Sequence, residues 1–166
     1  MNGADSYDVD LRRLAYRHQV WGWRLLLVFL TLGLVLEFLH GFKVSLYLDP
    51  DKELRRELWT LAHAHGTLLS LVQLLFSAAI TSGHFRSPRR AKLCSVLLLG
   101  ATLLLPGGFF LGGVAPTEWD PWIGIIWVPL GGLFLLGGVL VAAIEVGSNK
   151  EESRDLQGKA RRNVAK

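Results

Sequence analysis

The chain has 166 residues and is 51% hydrophobic, yet it carries 32 charged side chains, 18 Lys+Arg and 14 Asp+Glu. The charges are segregated: residues 25–42, 58–85, 93–117 and 121–144 together hold 95 residues and one charge, Glu37. Runs near or above the roughly 18–20 apolar residues that cross a bilayer read as transmembrane helices. This excludes a soluble enzyme, a DNA-binding domain and a secreted disulfide scaffold; the lone Cys94 has no internal partner for a disulfide.

In chain order, residues 1–20 form a polar, charged N-terminal segment. Spans are expected at about 21–43, 57–82, 91–114 and 121–146, and residues 147–166 form a charged tail, mobile or a short surface helix. The first span follows some 20 polar residues and has no small-residue cleavage site, so it reads as a retained helix rather than a signal peptide. The loop after the first span contains Asp49-Pro50-Asp51, a turn and helix start. Trp21, Trp23, Tyr47, Trp59, Trp119 and Trp122 flank the spans at headgroup level.

With four spans, 14 Lys+Arg fall on the side of the termini and 4 on the other. The positive-inside rule therefore places both termini in the cytoplasm. The net charge of +4 is a topology signal and not a nucleic-acid footprint, although the basic groups suit anionic lipid headgroups. The expected fold is an all-α, integral membrane four-helix bundle, multi-pass in the cell membrane of a bacterium.

The third and fourth spans are rich in small residues. Gly108-Phe-Phe-Leu-Gly112 is a GxxxG pair, and Gly131, Gly132, Gly137, Gly138 and Ala142 provide similar close-approach positions. They suit packing of the two spans, a membrane protein partner or a homo-oligomer. Pro106 and Pro129 are expected to kink these helices or free a carbonyl.

Glu37, His40, His63 and His65 are the candidate site residues, because ionisable groups inside spans are costly and favour function. At 1.5 Å per residue, His40 and Glu37 lie roughly 4–9 Å below the outer end of the first span. His63 and His65 lie roughly 8–10 Å inside the second, so one antiparallel hairpin is expected to layer all four. Glu37 and His40 form an E-x-x-H pair on one face. On the second span His63, Gly66, Thr67, Ser70, Gln73, Ser77 and Thr81 share a polar arc, which should face protein rather than lipid. His65 points about 200° away from His63 on a straight helix.

Three chemistries use such an inventory. A b-type haem takes one or two neutral imidazoles in an apolar slot, from His40 with His63 or His65. A copper or zinc ion takes Glu37, His40 and His63. A proton or quinol path takes a buried carboxylate beside histidine, lined by Ser70, Gln73 and Ser77. The bland alternative is that Glu37 and a histidine form a buried polar pair that fixes helix register. His18 and His84 lie in charged segments and are expected to be solvated, and Cys94 is a small apolar filler.

The segment Leu61-Ala-His-Ala-His65-Gly66-Thr-Leu-Leu is similar to the short histidine helix segments of the haem-copper oxidase subunit I superfamily and its small relatives. The resemblance covers about ten residues of 166 and implies that His65, or His63, is an axial haem ligand. Oxygen reduction is not implied, because the other metal-site histidines of that superfamily have no counterpart here. The chain as a whole resembles four-helix bacterial membrane proteins with a Leu-His-Gly…His-Ala-His-Gly pattern. The stripe favours His63 and the His-Gly pair favours His65, so both stand. The expected function is thus a small haem- or metal-binding protein for electron transfer or sensing. The alternatives are a non-catalytic accessory subunit of a membrane complex and a small proton-coupled transporter. No Walker, Gly-x-Ser-x-Gly or zincin motif points to a hydrolase.

Overall fold

The computed structural model describes the backbone of residues 3–48, 53–117 and 120–164, and side chains within 8–48, 53–117 and 120–148. The Asp49-Pro50-Asp51 turn, Trp119 and the side chains of the tail beyond Ser148 lie outside the described residues.

The secondary structure of the described residues is all-helical, and four helices among them are long and apolar enough to cross a membrane. Helix α1 runs Gly3–Gly41 and is followed by the short α2, Ser45–Leu48. Helix α3 spans Glu53–Thr81 and α4 spans Pro88–Gly112. A 3-10 turn, Ile123–Ile126, leads into α5, Trp127–Val164. The expected spans map onto α1, α3, α4 and α5. The polar ends of α1 and α5 continue these helices without a break at the expected span limits.

Local chemistry explains the ends. Ser87 caps α4, its hydroxyl accepting from the Arg90 amide, with Pro88 at the first helical position. Gly83, at φ +74°, ends α3 in a left-handed residue, and the His84 amide reaches back to the Ala79 carbonyl. The same closure ends α1, where the Val44 amide bonds the Leu39 carbonyl. There the left-handed residue is Lys43, at φ 52°, rather than glycine. Pro106 lies inside α4 as expected. Pro129 is the third residue of α5, in the first turn, where its missing amide proton is not needed; it opens the helix instead of kinking it.

Each span packs on its neighbour in sequence: α1 on α3, α3 on α4, and α4 on α5. Helix α1 touches α4 lightly, and α1 and α5 do not meet among the described residues. The four spans therefore form a curved, open array. The inner helices are about 40% buried across their most apolar windows (39% for α3, 44% for α4), the edge helices 11% each.

Close approach at small residues sets these pairings. A Cβ on Gly131 would meet the Leu105 backbone nitrogen at 2.6 Å, and one on Gly108 would meet the Gly124 carbonyl at 3.0 Å. The α4–α5 seam is thus built at glycine distance, the geometry in which van der Waals contact drives association in lipid. The apolar core of Leu14, Ala15, Phe76, Ile80, Phe85, Ala91, Cys94 and Leu98 sits in the half nearest the termini, here called the terminal side. Cys94 fills space in it and donates its S–H to the Gly138 carbonyl at 3.3 Å.

Candidate functional site

The polar residues of α3 point where their periodicity puts them. Ser70, Gln73 and Ser77 are buried. Ser70 bonds back to the Gly66 carbonyl of its own helix at 2.7 Å, and Ser77 donates across to the Ala15 carbonyl of α1 at 2.8 Å. Thr67 carries the one buried side-chain oxygen without a hydrogen-bond partner among the described residues.

Gln73 is the hub. Its amide nitrogen donates to Thr102 Oγ1 at 2.6 Å and to the Leu98 carbonyl at 3.0 Å, both on α4. Its oxygen can only accept, so the proton on the opposing imidazole nitrogen is fixed: His18 Nδ1 donates to Gln73 Oε1 at 2.5 Å. His18 Nε2 is then an acceptor and meets Ser95 Oγ at 2.7 Å. Ser95 in turn accepts from Arg17 Nη2 at 2.7 Å. The chain runs in one direction, Arg17 to Ser95 to His18 to Gln73 to Thr102, and Thr102 ends it on the Leu98 carbonyl at 2.8 Å. A neutral imidazole satisfies every member.

His18 therefore corrects the sequence reading. It is 0% exposed, inside α1, with its ring edge-on to Phe76 at 4.7 Å. Two signals pointed to it. His18 shares a face with Leu14, Ala15 and Gly22, one turn below the presumed start of the span. Gln73 and Ser77 also needed polar partners on the facing helices, and Ser95 and Thr102, seven residues apart on α4, supply one surface for them. By helical rise, this node lies roughly 10–12 Å from the terminal-side ends of α3 and α4.

The outer residues are spread rather than layered. The His63 ring fills the space a Cβ on Gly33 would occupy, and its Nδ1 bonds the Phe29 carbonyl at 2.8 Å. That level is two turns, roughly 10 Å, below His40 on α1. His65 turns to the opposite neighbour, with Nδ1 on the Leu61 carbonyl at 2.9 Å and its ring 5.0 Å from Phe109 of α4. His40 is exposed and borders an outer cleft with Tyr47, Arg56, Glu57, Thr60 and Leu61.

Glu37 is exposed and makes no hydrogen bond or ion pair with another described residue. The reason is rotation. Leu36 is the buried residue of that turn, and the next residue points 100° away from it. Glu37, His40 and His63 are not brought together, and no three His, Cys, Asp or Glu groups among the described residues form a metal cluster.

The buried carboxylate among the described residues is Glu145, at the end of the last apolar run. Glu145 of α5, 3% exposed, accepts from the backbone amides of Arg86 (3.1 Å) and Ser87 (2.9 Å) and from Arg90 Nη1 (2.8 Å). It closes the start of α4 from outside, where orphan amides and the helix dipole favour an anion. On the loop side Arg55 does the converse, donating to the Gly113 carbonyl (3.0 Å) and the Val114 carbonyl (3.1 Å) beyond the end of α4.

Comparison with protein-family models, curated proteins and solved structures finds no match to this chain.

Proposed function

We propose that this chain is a non-catalytic accessory subunit of a membrane complex, multi-pass in the cell membrane with both termini in the cytoplasm. One observation carries the reading: the buried polar side chains of the spans are almost all satisfied inside the bundle, by one another or by backbone groups. His18, Gln73, Ser95 and Thr102 tie α1, α3 and α4 together and leave no open reactive atom. Such a clamp defines a rigid scaffold. The open array supports the same conclusion, because α1 and α5 each keep a long apolar edge for lipid or a partner's helix. A photo-crosslinker placed at Leu27 of α1 or Leu133 of α5, both outward-facing, should yield a discrete protein adduct in intact membranes. The same group at buried Leu69 should not. Adducts to lipid alone from both edges would refute the proposal.

A second reading, a haem-binding protein, is favoured by one feature. His63 and His65 both commit Nδ1 to a backbone carbonyl, which leaves Nε2 as the free lone pair that an axial haem ligand uses. The two rings face different helices, so each would act as a single ligand. The purified protein would show a Soret band that weakens in His63→Ala or His65→Ala, with His40→Ala as a third arm. A colourless preparation refutes this reading.

A further inference from the structure

Where α1 and α4 part on the terminal side they leave a cleft of about 390 Å³, lined by Asp10, Arg13, Leu14, Arg17, Lys92 and Val96. That size falls in the roughly 300–1,000 Å³ range of small-ligand sites. The lining follows from helical spacing. Asp10, Arg13, Leu14 and Arg17 stand at i, i+3, i+4 and i+7 on α1, and Lys92 and Val96 stand one turn apart on α4. Three cations and one carboxylate leave a formal charge of +2 around a floor of Leu14 and Val96.

These cations differ in how they are held. Arg17 is anchored through one nitrogen to Ser95, which fixes the guanidinium at the cleft and leaves its other N–H donors free to bind. Lys92 pairs with Asp10 at 2.8 Å, both partly exposed. Arg13 makes no hydrogen bond or ion pair with another described residue. The cleft opens at the end of the spans that the charge rule assigns to the cytoplasm. Its neighbours in the bilayer there are inner-leaflet headgroups, and its apolar floor continues toward the hydrocarbon. Basic pockets between spans on this side suit anionic lipid headgroups.

We infer that the α1–α4 cleft is a binding site for an anionic glycerophospholipid, its phosphodiester held by Arg13, Arg17 and Lys92 and its acyl chain lying along Leu14 and Val96. Asp10 opposes the ligand and is displaced from Lys92 when lipid binds. The site goes beyond the accessory-subunit role and rests only on the membrane topology proposed with it.

The test is native mass spectrometry of the full chain, mixed with phosphatidylglycerol and phosphatidylcholine and released from detergent. The wild type should retain phosphatidylglycerol preferentially. Arg13→Gln with Lys92→Gln should lower that preference about fivefold per cation removed. Both side chains are exposed, and Arg17 with its buried network stays intact. Asp10→Asn should raise the preference by a similar factor, a gain that a misfolded protein cannot mimic. Unchanged preference in the double variant, or a loss in Asp10→Asn, overturns the inference. A third arm adds inorganic phosphate. Failure of millimolar phosphate to compete with the lipid supports a lipid site, and full displacement by it overturns the lipid assignment in favour of a free-phosphate site.

Discussion

Gln73→Leu is the sharpest probe of the interior. Leucine has nearly the same volume, so the change removes hydrogen bonds with little cavity. Three interhelical bonds disappear: from His18 Nδ1, to Thr102 Oγ1 and to the Leu98 carbonyl. At about 0.6 kcal/mol for an average interhelical bond in a membrane protein, the loss is about 2 kcal/mol. A fully buried imidazole N–H is also stranded, which on its own costs about 1–3 kcal/mol. The Leu98 carbonyl keeps Thr102, so it is not orphaned. The two contributions together come to about 3–5 kcal/mol. His18→Leu alone strands the Gln73 oxygen and the Ser95 hydroxyl and should cost a similar amount. In the double variant His18→Leu with Gln73→Leu, the imidazole N–H and the Gln73 oxygen are removed together, so neither is stranded by the loss of the other, and Ser95 still faces an apolar replacement. The loss in the double variant should therefore fall short of the sum by about 1 kcal/mol or more. Equilibrium unfolding in mixed detergent micelles, followed by the fluorescence of the six tryptophans, gives all four corners of the cycle. Ser70→Ala is the control, expected within about 0.5 kcal/mol of wild type because its hydroxyl only bonds its own helix. A Gln73→Leu loss below about 0.5 kcal/mol, or coupling near zero, would refute the directional chain.

Three further outcomes follow from the packing and caps. Gly131→Ala should cost about 1–3 kcal/mol because its Cβ runs into the Leu105 backbone, whereas Gly132→Ala, with open space around it, should be neutral or slightly stabilising; thermal unfolding in detergent compares them. Gly33→Ala should push the His63 ring off the Phe29 carbonyl, visible as a changed His63 imidazole signal by NMR, while Gly41→Ala leaves that signal in place. Glu145→Ala should cost about 2 kcal/mol through three lost charge-assisted bonds. Glu145→Gln should cost less because it keeps an acceptor, and hydrogen exchange at the Arg86 and Ser87 amides should rise in both.

The four apolar helices, their order and the small-residue seam between the last two are legible in the residues alone. The reason is that a bilayer imposes length and apolarity locally, and glycine spacing marks close approach. The buried stripe of Ser70, Gln73 and Ser77 is legible too, since helical period fixes direction. Partnership, by contrast, came only with folding. Depth arithmetic put Glu37, His40, His63 and His65 in one layer, but contact depends on which way α1 rolls against α3. Gly33 takes that face against the His63 ring and Leu36 is the buried residue of the next turn, so Glu37 turns away and His40 is left two turns above the ring of His63. His18, whose charged segment predicts a solvated ring, is the centre of the interior. The helix continues past the apolar run, and Gln73 and Ser95 arrive from two other helices to meet it. A residue's own neighbours in sequence tell its depth, while the groups that satisfy it come from chain positions 55 and 77 residues away, and only folding brings those together.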